Sequence, residues 1–503
     1  MSDTIAYDRL VAHHRQTALF GSALALLHWD QRTQIPEKGH AWRAEQVAAL
    51  ARLIHARNTD PRLADDLAAC EAAPPSPEGP DTPRAANVRE MRRAYDRAAK
   101  IPEDLAVALA RACAQAESAW ERARPADDWK GFLPHLTEVL SLRRQEAEAV
   151  GYAAEPYDAL LDAYEPHATA AQLAPLFASL KPVLTGLLDR IRGASRQPDP
   201  TLLRRPIPAQ AQEAFARKVA TAMGYDFAAG RLDRTAHPFA TRIAPGDTRI
   251  TTRFREDNLA EALFGVIHEA GHALYEQGLP ADDFGLPTGE AVSLGVHESQ
   301  SRLWENVTAR SRGFWIHFLP KASADLPALA GIGLDDFLLA VNQVRPGLIR
   351  VDADEVTYNL HVLLRFELEL ALVRGDLAAA DLPGAWNAAM QSSLGLTPPD
   401  FASGVMQDVH WSAGLFGYFP TYTLGNVIAA QLAAAMRRDL GDLEELYARG
   451  EFAPQLAWLR ENVHRHGSRY TPRDLVRRAT GAEPDPAFLA DYLEEKYGAL
   501  YGL

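Results

Sequence analysis

The sequence predicts an all-α, mostly helical protein with one small β-hairpin, and three observations carry that reading. Apolar residues recur at helical spacing along almost the whole of the 503-residue chain. Pro- and Gly-rich interruptions are confined to residues 74–83 and 197–208. Only residues 239–254 combine β-branched side chains with a turn signal in the way strands require. With 47% hydrophobic and 23% charged residues, the composition is that of a globular protein able to bury a large core.

From the N-terminus, periodicity predicts helices over residues 7–29, 41–56, 86–100, 103–124, 131–151, 169–192 and 209–223. Within the first, Ala18 to Leu27 reads ALFGSALALL, about the length of the apolar part of a secretion signal. Asp3 and Asp8 precede it with only Arg9 and Arg15 to offset them, so the positive flank of a signal is missing and a buried helix is expected. No apolar stretch approaches the roughly 20 residues that span a bilayer. The two Pro-rich stretches cannot be helix or interior strand and are expected as surface connections. Neither reads as a long flexible linker. The expectation is therefore one large domain over residues 1–503, with an N-terminal helical part to about residue 235 and the functional motifs between 237 and 425.

Residues 239–243 and 248–254 flank Ala244-Pro245-Gly246-Asp247, which predicts the hairpin. Directly after it, Asn258 can cap a helix over 259–277, with Glu261 in the capping-box position and Gly278 closing the far end. That helix carries His268-Glu269-Ala270-Gly271-His272, a His-Glu-x-x-His pattern. Residues four apart lie above one another on a helix. Two imidazoles can then grip one tetrahedral Zn²⁺ while Glu269 leans over the open side, placed to take a proton from water on the metal. Half-buried histidines of an ordinary helix would give the same letters. Gly265 and Gly271 each cost up to about 1 kcal/mol in a helix interior. A closely approaching backbone or substrate would explain them, as would tight packing. The hairpin beside the motif could hold an extended peptide or simply pack.

Charge and cysteines bound the partners. The formal net charge is -14 without Lys/Arg blocks, so neither nucleic acid nor an anionic membrane is an expected partner. Cys70 and Cys113 are isolated in Ala-rich helical stretches, which favours free thiols and a cytoplasmic location.

A catalytic zinc usually has three protein ligands. Glu290, His297 and Glu298 compete for the third place, in a second apolar segment that runs to Val307. Glu298 follows His272 by 26 residues, room for one loop and an antiparallel helix that returns past the first. Zincins with an acidic ligand have this layout.

Five separated blocks then amount to a family resemblance: Asp247-Thr248-Arg249-Ile250-Thr251, the His268–His272 motif, His297-Glu298-Ser299-Gln300, Ile349-Arg350-Val351-Asp352-Ala353-Asp354, and Gly404-Val405-Met406-Gln407-Asp408-Val409-His410-Trp411. The chain resembles the carboxypeptidase Taq family of metallocarboxypeptidases. His28-Trp29-Asp30 and Tyr157-Asp158-Ala159-Leu160-Leu161 support the likeness, which spans essentially the whole chain. The resemblance implies a zinc-type site of His268, His272 and Glu298 with Glu269 as general base; cobalt serves some members. It also implies a helical, saddle-shaped subunit with a deep groove and a small hairpin beside the active site, usually dimeric. The implied substrates are peptides trimmed one residue at a time from the C-terminus, with broad specificity and poor release of proline.

Comparison with helical zinc peptidases points to Tyr422 and His410 as donors to the developing oxyanion, with Tyr418 a core aromatic. Arg350, by its motif position, is the guanidinium for the terminal carboxylate; without the resemblance, a salt bridge to Asp352 or Asp354 is the plainer reading. Asp247 and Arg249 are expected to support the wall of the substrate groove, and Asp354, Gln407 and Asp408 to orient their neighbours. Two further readings stay open. One is a metal-dependent oligopeptidase or dipeptidase with a closed groove, the other a helical binding scaffold without enzymatic activity.

Overall fold

Local chemistry sets the ends of the helices that periodicity predicts. In this computed structural model, which describes residues 2–73 and 79–503, they run Ser2–Thr33, His40–Asn58, Pro83–Lys100, Glu103–Ala123, Trp129–Val150, Ala170–Gly193 and Ala209–Met223. At Thr169 a capping box closes: its hydroxyl accepts from the Gln172 amide while the Gln172 side chain accepts from the Thr169 amide. Asn258 caps Leu259–Gly278 by accepting from the Glu261 amide at 3.2 Å. Gly278 ends that helix without a left-handed turn. Its missing side chain makes room for the His464 ring, which an added Cβ would meet at 2.4 Å.

Two expectations need correction. Ala18–Leu27 is helical, but none of its residues is buried, and Leu19 is 61% exposed. The helix that packs on it, His40–Asn58, itself buries no residue, and Trp42 and Leu53 on it are exposed. Secondly, Ala170–Gly193 is long and apolar enough, by length and composition, to cross a membrane. Here its Leu173, Phe177, Leu180, Leu184, Leu188 and Ile191 form a buried stripe at helical spacing. Of the first Pro-rich stretch, residues 74–78 lie outside the described residues. The second holds one short turn, Leu202–Arg204.

The chain divides into two compact units, each assembled from three separate stretches. The first comprises Met1–Ala99, Pro198–Val341 and Ala429–Pro484, the second Lys100–Gln197, Asn342–Ile428 and Asp485–Leu503. The first holds a three-stranded sheet of β1 (Leu232–Arg234), β2 (Ala240–Ala244) and β3 (Asp247–Thr252) in the order β1-β3-β2. β2 and β3 are the predicted hairpin, antiparallel with an irregularity between Arg242 and Ala244. β1 runs parallel to β3, and its three residues carry no strand signature of their own. The second unit is organised around Glu355–Arg374, buried along most of its length, polar residues included: Asn359, His361, Arg365 and Glu369.

Candidate metal centre and guanidinium network

In the first unit, helix Leu259–Gly278 lies between β3 and helix Leu294–Arg302, and its two interior glycines face these neighbours. A Cβ on Gly265 would sit 3.0 Å from the Thr252 hydroxyl of β3. One on Gly271 would sit 2.7 Å from the Ser301 Cα and 2.8 Å from the Gln300 carbonyl oxygen. Gly271 is thus what lets the second helix approach closely enough to bring Glu298 over the histidines.

Three side chains converge there. The Glu298 Oε2 lies 3.3 Å from His272 Nε2 and 3.6 Å from His268 Nε2. Ligand atoms about 2.0–2.1 Å from a tetrahedral zinc are separated by about 3.3–3.4 Å, so this spacing suits one such ion. His268, His272 and Glu298 form the one cluster of metal-ligating groups found among the described residues.

Proton bookkeeping selects the same atoms. The Glu305 carboxylate, depressed in pKa because His268, Arg302 and Arg310 outweigh its burial, accepts from His268 Nδ1 at 2.9 Å. Glu276, also an anion, accepts from His297 Nε2 at 2.9 Å, and the His297 Nδ1 stands 2.6 Å from His272 Nδ1, so that one of these two nitrogens carries the shared proton. With His268 and His272 each protonated at Nδ1 alone, both turn a lone pair at Nε2 toward Glu298; Glu298 and Glu305 raise His268 against its burial, so a cation held there takes the place of a proton. Burial pushes His272 down to about 4, which keeps its ring neutral. Glu305 belongs to one wide (π) turn, Leu303–Thr308, continuing the Glu298 helix.

The buried carboxyls of this cluster differ sharply. Burial raises Glu269 to about 7. It acts on Glu298 too, but Arg302, donating at 2.7 Å, and the two imidazoles hold that carboxylate well below the usual range. Of the competing third ligands, His297 stands behind His272. Glu290 stands outside the cluster, half-exposed and 3.9 Å from Arg242. Asp247 and Arg249 of β3 bind each other through two hydrogen bonds of 2.8 and 2.7 Å, and the guanidinium lies 4.2 Å from the Trp29 ring centroid. The His28-Trp29-Asp30 block thereby acquires a role as the platform under this pair.

In the second unit, Arg350 is buried and its ion-pair partner is Asp408, not Asp352 or Asp354. Its Nε and Nη2 donate to Asp408 Oδ1 at 3.0 and 2.8 Å, and Nη1 donates to the Tyr358 hydroxyl at 3.0 Å. Gln407 accepts from the Arg350 amide and donates to the Leu348 carbonyl, fixing the backbone on which the guanidinium stands. Asp354 instead caps Glu355–Arg374, accepting from the Val356 and Thr357 amides. The His410 Nε2 lies 3.2 Å from the Tyr422 hydroxyl, and burial with the nearby Arg350 lowers His410 to about 3. Tyr418 is half-buried, with its ring against those of Tyr164, His410 and Tyr422. Arg350, His410, Tyr422 and Asp408 are thus brought into one neighbourhood, as are His268, Glu269, His272 and Glu298 in the first unit.

Sequence reasoning missed several buried partners. Arg365 shares Asp408 with Arg350. Glu369 accepts from Trp411 Nε1 and the Tyr157 hydroxyl at 2.8 Å each and from the Gly417 amide at 3.0 Å, so it ties the Tyr157 block to the loop between His410 and Tyr422. Gly417, at φ 87°, has no room for a Cβ beside the Leu160–Leu161 backbone. These partners lie tens to hundreds of residues away, at no repeating interval.

The family model described as carboxypeptidase Taq (M32) metallopeptidase matches residues 9–497. Thermostable carboxypeptidase 1 of Thermus thermophilus is 55% identical over 512 residues, covering 100% of both chains. Carboxypeptidase 1 of Bacillus subtilis is 40% identical over 493 residues and 96% of each chain. Among solved structures, the M32 carboxypeptidase of Deinococcus radiodurans R1 superposes with a TM-score of 0.96 at 42% identity, over 99% of this chain and 100% of that one.

Proposed function

Because the chain belongs to the carboxypeptidase Taq (M32) family and is a metallocarboxypeptidase, we propose the residues that carry its chemistry: His268, His272 and Glu298 hold a divalent ion, zinc in the first instance with cobalt an alternative, and Glu269 is the general base. The observation that carries this reading is the 3.3 and 3.6 Å spacing of the Glu298 oxygen from two imidazole lone pairs. A divalent ion held by these three residues would supply Lewis-acid chemistry, lowering the pKa of water from 15.7 to about 7 and polarising a carbonyl. Glu269 takes the proton of the attacking water and returns it to the leaving amine. Its burial suits that exchange: a carboxyl raised to about 7 both accepts and gives near neutral pH.

Arg350 reads the free terminal carboxylate. Of its five N–H groups three are used by Asp408 and Tyr358, which leaves one on each Nη for a carboxylate. Tyr422 and His410 donate to the oxyanion, and Asp247 with Arg249 supports the peptide-binding wall. Substrates are peptides shortened one residue at a time, with broad preference and slow release of proline. The free thiols of Cys70 and Cys113 suit a cytoplasmic enzyme. A second copy of the chain covers the exposed apolar residues of the first two helices.

Mass spectrometry of an N-terminally blocked peptide ladder, with elemental analysis of the same sample, tests the reading. Sequential loss from the C-terminus at one equivalent of zinc or cobalt is expected, and amidation of the peptide should abolish it. Internal cleavage that ignores amidation would instead identify an oligopeptidase.

A further inference from the structure

Arg365 cannot touch a substrate, since its side chain is 0% exposed in the middle of Glu355–Arg374, yet it is a second guanidinium on the carboxylate that holds Arg350. Its Nε donates to Asp408 Oδ2 at 2.7 Å, and its Nη2 stands 2.6 Å from the same oxygen. Its Nη1 donates to the His361 carbonyl at 2.7 Å, and its face lies 4.6 Å from the Trp386 ring centroid. Asp408 therefore offers Oδ1 to Arg350 and Oδ2 to Arg365. Two positive charges share one negative charge, and the triad carries a net +1.

The surroundings offset it only in part. His361 and His410 are both held neutral, lowered to about 3 by burial and by the guanidiniums. Glu369, one turn along the same helix, is raised to about 7 by burial, so it is half-ionised near neutral pH, and its hydrogen bonds go to Trp411, Tyr157 and Gly417 rather than to the guanidiniums. A buried charge without a counter-ion is costly. Here the surplus lies beside an arginine that keeps two N–H groups unspent.

We infer that Arg365 is a positioning residue for recognition of the substrate's terminal carboxylate: it fixes and neutralises Asp408, so that the charge of Arg350 is left for the peptide. Without Arg365, Arg350 and Asp408 form a neutral pair and the aspartate competes with the substrate for the guanidinium. This rests on the reading of Arg350 as the carboxylate reader.

The test uses the metal-loaded full-length enzyme, a blocked tripeptide with a free C-terminus, and the same tripeptide amidated, used as a competitive inhibitor. Arg365→Gln should raise KM for the acid roughly tenfold or more, with metal content, kcat and the inhibition constant of the amide little changed. Arg365→Lys keeps the charge and should stay within about threefold of wild type. The double variant Arg365→Gln/Asp408→Asn restores a net +1 and should recover most of the acid preference, which a role limited to packing would not allow. Unchanged KM in Arg365→Gln, or a double variant no better than the single, overturns the inference. If Arg365→Gln does not fold, the double variant decides alone: folded and metal-loaded, it must discriminate acid from amide as wild type does. Wild-type enzyme indifferent to amidation would overturn the reading of Arg350 instead.

Discussion

The roles proposed for Glu269, the base, and Glu298, the ligand, differ because the neighbours of the two carboxyls differ. Glu298 faces Arg302 and two imidazoles and stays ionised, as a ligand must. Glu269 is governed by burial and titrates near 7, as a proton carrier should. Substitutions should separate the two roles. Glu269→Gln keeps the shape of the side chain without the base, so metal content should stay at one equivalent while kcat falls by roughly 10²–10⁴. Glu298→Ala removes an anionic ligand, and elemental analysis should find the ion gone. If Glu298→Ala keeps full occupancy, the third ligand is another group. The His-Glu-x-x-His spacing made the two imidazoles legible, because four residues on a helix is a fixed geometry. Spacing placed Glu298 ahead of two rival acceptors, and the family resemblance selected it. Glu305, Glu276 and Arg365 carry no such interval: each reaches its partner through tertiary packing.

At the level of elements, the site depends on how closely two helices approach at Gly271. Gly271→Ala sets a Cβ 2.7 Å from the Ser301 Cα, where backbone rather than a flexible side chain must yield. Overpacking of this kind costs about 1–3 kcal/mol, and the displaced helix carries Glu298 with it. Both the melting temperature and the affinity for zinc should fall, measured by calorimetry and by competition with a chelator. Gly186, in Ala170–Gly193 with open space around it, is the control: Gly186→Ala should stabilise by up to about 1 kcal/mol and leave zinc affinity alone. Glu369 gives a second test, on the element it anchors. Its carboxyl titrates near 7 in the folded chain against 4.5 as the ordinary value, so between those pH values the folded state holds a proton that the unfolded state has lost. That contribution to stability is complete below about 4.5 and fades as pH rises through 7, on the order of 3 kcal/mol in all. Glu369→Gln lacks the titration, so its melting temperature relative to wild type should rise between pH 5 and pH 8; a constant difference would remove Glu369 from the linkage. Sequence periodicity gave these helices their positions, since each buries a stripe at 3.6-residue spacing. β1 escaped it because its three residues are strand only by pairing with β3.

For the whole molecule, helical periodicity and the hairpin made the architecture readable, whereas the division into two units was not, because each is assembled from three stretches far apart in the chain. Burial was the other failure. ALFGSALALL looks like core by composition, yet the helix pair that contains it leaves apolar side chains in water. Leu19 and Leu26, seven residues apart, share one face of Ser2–Thr33, and Trp42 and Leu53, eleven apart, share one face of His40–Asn58. Leu19 and Trp42 are 61% and 76% exposed. Exposed apolar faces on two packed helices are where association is expected, and in homo-oligomers the commonest arrangement is a two-fold dimer that pairs one patch with its own copy. Sedimentation equilibrium should therefore give the mass of two chains for wild type. The double variant Leu26→Glu/Trp42→Glu places charges on both faces and should give the mass of one chain, with a melting temperature that no longer depends on protein concentration. Wild-type protein that sediments as a single chain, or a double variant that remains paired, would place the partner of these helices elsewhere.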